Sequence, residues 1–187
     1  DVKNNIYFAY IAGDDEGGHS FYRADGTRIR TVGPLPLYAG EADRVFDHTA
    51  DPMVTGDNSW VWDVAFDEEG RPVVAFASFV NDALHQYHWA VYEGGQWRDR
   101  ILVEDAGGSI ANLSIAAPEC HYSGGIALDP ADPTIVYVSR ENRYGGWDIE
   151  QMRTADDGAT WTVVPVTSGS CVKNVRPVVP ERRPQFT

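Results

Sequence analysis

Cysteine, methionine and basic side chains are all scarce in this chain of 187 residues, and no long apolar run is present. The two cysteines, Cys120 and Cys171, lack the C-x-x-C spacing of a zinc site and leave a disulfide or two free thiols open. Fifteen Lys and Arg stand against 28 Asp and Glu, a net charge of −13. That balance argues against nucleic acid and anionic membrane surfaces as partners, and it repels acidic polymers at long range. Any polyanion site must therefore be locally cationic. Nothing approaches the run of about 20 apolar residues that spans a bilayer, and no charged-then-apolar leader opens the chain. The start at Asp1 in place of Met reads as a trimmed precursor or longer parent. No set of His, Asp and Cys has metal-ligand spacing, so neither metal nor cofactor is expected.

What the chain does have is a repeat. Aromatic residues make up 12% and sit in short β-rich runs. Trp62 to Asp67, the turn Glu68 to Pro72, and Val73 to Ser78 read as strand, turn, strand, and the same grammar returns at Gly124 to Asp129, Pro130 to Pro133, and Thr134 to Ser139. A second hairpin follows each: Tyr87–Tyr92 with Arg98–Val103, and Trp147–Met152 with Thr162–Val166. A worn copy at Phe21 to Arg30 supplies an earlier outer hairpin, and Val172 to Val179 reads as the inner strand of a later unit. Four short strands per roughly 60 residues is the grammar of β-propeller blades. The expected fold is all-β, with four-stranded antiparallel blades: a partial blade at 1–55, blades at 56–106 and 118–167, and the start of another at 171–187. Propellers close with about four to eight blades, so something else is expected to complete the ring. Cys120 and Cys171 each precede an inner strand of neighbouring units, an arrangement that would favour a disulfide. Asn112-Leu113-Ser114 is a sequon of the kind that arises by chance.

Blade topology sorts the side chains by end. The turns at Glu68–Arg71 and Pro130–Pro133 and the octet Thr154 to Trp161 fall at one end. At the other lie Asp57, Asn58 and Trp60, then His121 and Tyr122, then Lys173, Asn174 and Arg176, with Ser78, His85 and His88, and Arg140 to Arg143, from the intervening loops. This second end collects the acid–base and carboxylate-binding groups, and loops on a rigid scaffold are where function concentrates. Lys173, Arg176, Arg182 and Arg183, with Arg140 and Arg143, are its candidate cationic surface. His88 reads as an outward strand residue, His19 and His48 as surface positions, and Arg140 as a partner for Glu141.

The octet, spelled Ser/Thr-x-Asp-x-Gly-x-Thr-Trp, resembles an Asp-box, the hairpin lock of sialidase-like propellers. Its Asp can accept backbone N–H groups, and Gly158 can supply a positive φ. Cys120-His121-Tyr122-Ser123-Gly124-Gly125 leading to Ser139-Arg140, with Trp60 to Asp63 and Asn174 to Pro177, resembles the BNR-repeat propeller family that includes ulvan lyases and related uronate-cleaving enzymes. The resemblance implies a seven-bladed ring and β-elimination at a uronic acid, with Tyr122 as acid or as acid and base and Arg140 neutralising the substrate carboxylate. It also implies histidines where this chain has Asn58 and Ser78, which makes His85 and His88 the nearest substitutes. Asn58, Trp60, His121, Arg143 and Arg176 are the expected substrate-binding residues.

The reading is a secreted or extracellular polysaccharide lyase, or a segment of one, acting on an ulvan-like anionic glycan, with the rest of the propeller supplied by another segment or chain. Two alternatives stay open. One is a sialidase-type glycoside hydrolase, with Tyr122 and a Glu such as Glu141 or Glu119. The other is a non-catalytic carbohydrate-binding propeller using Trp60, Trp89, Trp147 and Tyr144 as stacking surfaces.

Overall fold

A computed structural model describes residues 4–50, 59–81, 84–103 and 123–181. The N-terminal unit holds β1 (Ile6–Phe8), β2 (Tyr10–Gly13), β3 (His19–Tyr22), β4 (Arg28–Thr31) and β5 (Asp43–Phe46). Two four-stranded sheets follow: β6 (Ser59–Phe66), β7 (Pro72–Phe79), β8 (His85–Glu93) and β9 (Gln96–Val103), then β10 (Ile126–Leu128), β11 (Ile135–Glu141), β12 (Trp147–Arg153) and β13 (Thr162–Pro165). In both sheets each strand pairs antiparallel with the next in sequence. The N-terminal unit differs from a plain blade, because β2, β3 and β4 form one sheet while β1 pairs with β5.

The β6–β9 sheet is covered on both faces, which explains the near-continuous apolar spelling of β7. Side chains alternate across a strand. Val73, Ala75, Ala77 and Phe79 join Trp89, Ile126, Leu128, Val136 and Val138 in one core, and Val74 and Phe76 join Ile6, Phe8 and Val45 in a second. Burying a side chain such as Phe76 completely contributes about 1.5–3 kcal/mol.

The sheets lie side by side through their inner strands. A register shift in β6 between Val61 and Asp63 re-aims two side chains, as bulges do. Asp63 Oδ2 accepts the Leu128 N–H at 2.9 Å, and Trp62 Nε1 donates to Ser123 Oγ at 3.2 Å.

The Asp-box closes the far end of this contact. Asp156 accepts the Thr160 N–H at 2.8 Å and the Thr160 and Thr154 hydroxyls at 2.7 and 2.9 Å. Asp157 and Gly158 both take positive φ, 51° and 78°. The turn then docks on the preceding sheet. Arg71 Nη2 donates to Asp157 at 3.1 Å, Trp161 meets Trp89 edge-on at 5.7 Å, and Trp89 Nε1 donates to the Pro133 carbonyl at 2.9 Å.

Three local expectations change. Residues 172–179 form no strand, only an isolated bridge between Lys173 and Trp147. Their bonds go sideways: the Asn174 N–H donates to the Trp147 carbonyl, the Arg176 N–H donates to the Gly124 carbonyl, and the Asn174 carbonyl accepts from Ser139 Oγ. Arg176 sits at φ 57°, which breaks the extended run. His48 is buried, not superficial, and its Nδ1 lies 2.7 Å from Asn5 Oδ1. Cys171 is a free, exposed thiol, and Cys120 lies outside the described residues.

Candidate functional site

The end opposite the Asp-box is built by the approach to β10, the end of β11, the loop 142–146 and the segment 169–176. Gly124 and Gly125 make this convergence sterically feasible. A Cβ on Gly124 would stand 2.5 Å from the Trp147 ring and 2.8 Å from the Ser139 carbonyl, and one on Gly125 would stand 3.0 Å from Arg176 Cα. Tyr87 fastens the same corner from the neighbouring sheet, donating to the Ser139 carbonyl at 2.9 Å and accepting the Gly125 N–H at 3.1 Å. Burial pushes the Tyr87 phenol well above the usual tyrosine range, so it remains a protonated hydrogen-bond donor.

Asp148 clasps the two loops together. Its buried carboxylate accepts Asn142 Nδ2 and the Gly169 N–H at 2.8 Å each, Thr167 Oγ1 at 3.1 Å and the Ser170 N–H at 3.2 Å. The Ser170 side-chain hydrogen bond, followed by those from Asn142 and the backbone, holds Asp148 well below the usual carboxylate range despite its desolvation. Asn142 in turn accepts the Tyr144 and Gly146 N–H groups at 2.9 and 3.2 Å.

Arg140 is half-buried at the end of β11. Its guanidinium is held fork to fork by Glu150, at 2.8 Å from both Nε and Nη2, and not by Glu141. Arg143 and Arg176 are exposed, with the Arg143 guanidinium 4.7 Å from the Tyr144 ring centre. Trp60 is 43% exposed and meets Phe79 edge-on at 5.7 Å. Tyr122, His121 and Asn58 lie outside the described residues.

The two histidines that looked available are buried. His85 is fully enclosed and packs edge-on against Phe79 at 4.5 Å. His88 points inward, contrary to its reading as an outward residue of its strand. It stacks on Phe76 at 4.6 Å and faces Phe46 at 5.3 Å in the core shared with the N-terminal unit. Its Nδ1 lies 3.0 Å from both Asp99 oxygens, and its Nε2 lies 2.8 Å from Ser78 Oγ. A carboxylate only accepts, so Nδ1 carries the proton and the Ser78 hydroxyl donates to Nε2 in the neutral ring. This Ser–His–Asp line has triad connectivity, but Ser78 is 1% exposed, which denies it a substrate. Ser78 and Asp99 come from β7 and β9, on either side of β8, and only the strand register reveals them as partners.

Residues 1–104 match the model of the BNR repeat-containing family. The chain belongs to that family. The match spans the N-terminal unit and the β6–β9 sheet and stops short of the Asp-box and of Arg140. For a BNR-repeat protein the four-stranded antiparallel sheets are consistent with propeller blades. Comparison with curated proteins and with solved structures gave no match.

Proposed function

We propose that this protein cleaves an acidic polysaccharide, ulvan-like in carrying 4-linked uronic acid, by β-elimination at the end opposite the Asp-box. The observation that carries this reading is the convergence of Gly124–Gly125, Ser139–Arg140 and Asn174–Arg176. The Ser139 N–H donates to the Gly125 carbonyl at 3.0 Å and Ser139 Oγ to the Asn174 carbonyl at 2.5 Å. Tyr122 directly precedes Ser123, and Arg140 directly follows Ser139.

In this reading Arg140 binds the uronate carboxylate through Nη1, the nitrogen Glu150 does not engage, and so stabilises the charge that develops as the C5 proton leaves. A base removes that proton, its electron pair becomes the C4–C5 double bond, the C4–O bond breaks, and the leaving oxygen takes a proton. Ser78 is tied to His88, and both are buried with His85, so none of the three serves as base. Tyr122 is then the residue proposed for both transfers, a role as base that requires its surroundings to favour the phenolate over an ordinary phenol of pKa about 10. A secreted or extracellular setting fits a polymer substrate.

A second reading is a carbohydrate-binding module without turnover. It is favoured by Glu150, which already neutralises Arg140. Incubating uronate polymers with the protein and following the ultraviolet absorbance of a 4,5-unsaturated uronate separates the two. Tyr122→Phe should lower that rate by about 10²–10⁴-fold while leaving binding intact. Binding with no chromophore from any uronate polymer would reject the lyase reading in favour of the module.

A further inference from the structure

We propose that Arg143, Lys173 and Arg176 form a second anion-recognition site, for the sulfate or carboxylate of a sugar flanking the one cleaved. The inference rests on the preceding reading for its substrate class. Its own basis is the distribution of ion pairs. Among the described residues Arg23, Arg28, Arg30, Arg44, Arg71, Arg98, Arg140 and Arg153 each lie within 4.0 Å of a carboxylate. Arg143, Lys173 and Arg176 have no such partner there, although acids outnumber bases 28 to 15 along the chain. Among the described residues the remaining cation without a carboxylate partner, Arg100, donates to the Asp157 carbonyl beside the Asp-box at the other end.

The unpaired cations are mounted on fixed backbone. Lys173 bridges to Trp147, and Arg176 is held at positive φ by the bond from its N–H to the Gly124 carbonyl at 2.6 Å. Positive φ is uncommon for a residue with a side chain and persists where the surroundings impose it. Arg143 rides on the loop that Asn142 and Asp148 clasp to residues 169–170. Among the described residues, Asp148 is turned into the clasp and Glu150 holds Arg140, so neither neutralises these cations. The result is a local positive field on a strongly acidic molecule, which selects an anionic ligand by charge. Tyr144, 59% exposed beside Arg143, adds aromatic surface for a pyranose ring.

The test is calorimetric titration of the whole chain with polygalacturonate, with dextran sulfate and with neutral dextran at several salt concentrations. The triple variant Arg143→Ala/Lys173→Ala/Arg176→Ala should bind an anionic polymer at least about tenfold more weakly, with a shallower dependence on log salt, because fewer counterions are released. Loss confined to polygalacturonate identifies a carboxylate site, loss confined to dextran sulfate a sulfate site, and loss on both a general anion site. Lys173→Glu alone, a change at an exposed position, should weaken the same polymer and keeps the test valid if the triple variant folds poorly. Affinity and salt slope equal to the parent's, or an equal loss in Arg100→Ala/Arg153→Ala at the other end, would overturn the inference. The two proposals fail separately. Absence of unsaturated product removes the lyase reading and leaves this binding loss intact, whereas Tyr122-dependent product with parent-like binding by the triple variant removes this site alone.

Discussion

Tyr87 shows how one side chain from the neighbouring sheet can set the geometry of a candidate site. Its hydroxyl satisfies the Gly125 N–H and the Ser139 carbonyl together, the latter next to Arg140 at the end of β11. Tyr87→Phe leaves two buried backbone groups unsatisfied and should cost about 1–3 kcal/mol in urea denaturation. Gly158 is a second fixed point. It takes φ 78°, and a Cβ there would stand 2.7 Å from Arg100 and 3.1 Å from Trp89, so Gly158→Ala should destabilise by roughly 1–3 kcal/mol. Thermal melts with unchanged midpoints would contradict this. Asp148 brings a pH dependence. Its folded pKa is depressed, so the stability it contributes is complete above the ordinary aspartate value of about 3.9 and is lost as pH falls through its lower folded value. Asp14, Asp25, Asp47 and Asp156 are shifted the same way, mainly by hydrogen bonds. The denaturation midpoint should therefore fall as pH drops below that value, and Asp148→Asn should show a weaker fall. The Asp-box was legible in the sequence because each of its donors lies within four residues of the Asp156 acceptor. The Ser78–His88–Asp99 line was not, because it depends on which residues of three strands come into register.

At the scale of elements, β7 does most to join the parts of the molecule. It contributes Phe76 to the core with the N-terminal unit and Val73, Ala75 and Phe79 to the core with β10 and β11. Phe76→Ala should cost about 3–5 kcal/mol, read as a shift in denaturant midpoint. The loss should include contact with Phe46 of β5 and with the His88 ring. The eight strands of the two full sheets follow the repeat in the sequence, because alternation and turn residues are local signals. The β1–β5 pairing escaped the pattern, since Ile6–Phe8 and Asp43–Phe46 are short and joined only through a long intervening hairpin. Residues 172–179 gave the opposite error. Their β-branched spelling is that of a strand, yet their bonds run to Trp147, Gly124 and Ser139, and Arg176 turns the backbone out of the extended region.

At the scale of the whole molecule, charge pairing is uneven. Most described arginines are neutralised locally, at 2.6 Å for Arg71 with Asp67 and for Arg98 with Glu93, while the end bearing Arg143, Lys173 and Arg176 keeps its positive charge. The proposed function would need this separation, because the bulk charge of an acidic protein repels the acidic polymer that the site is proposed to attract. Sequence composition implies that any polyanion site on this chain must be locally cationic. Which cations stay unpaired required the ion-pair geometry. The central claim is the proposed elimination at a uronate by Tyr122 and Arg140. The most direct test is to digest a uronate polymer in water enriched in heavy oxygen and weigh the oligosaccharides by mass spectrometry. The account predicts fragments with one unsaturated end, no heavy oxygen introduced by cleavage, and dependence on Tyr122. Heavy oxygen in the newly formed ends, with both sugars saturated, would show hydrolysis and contradict it.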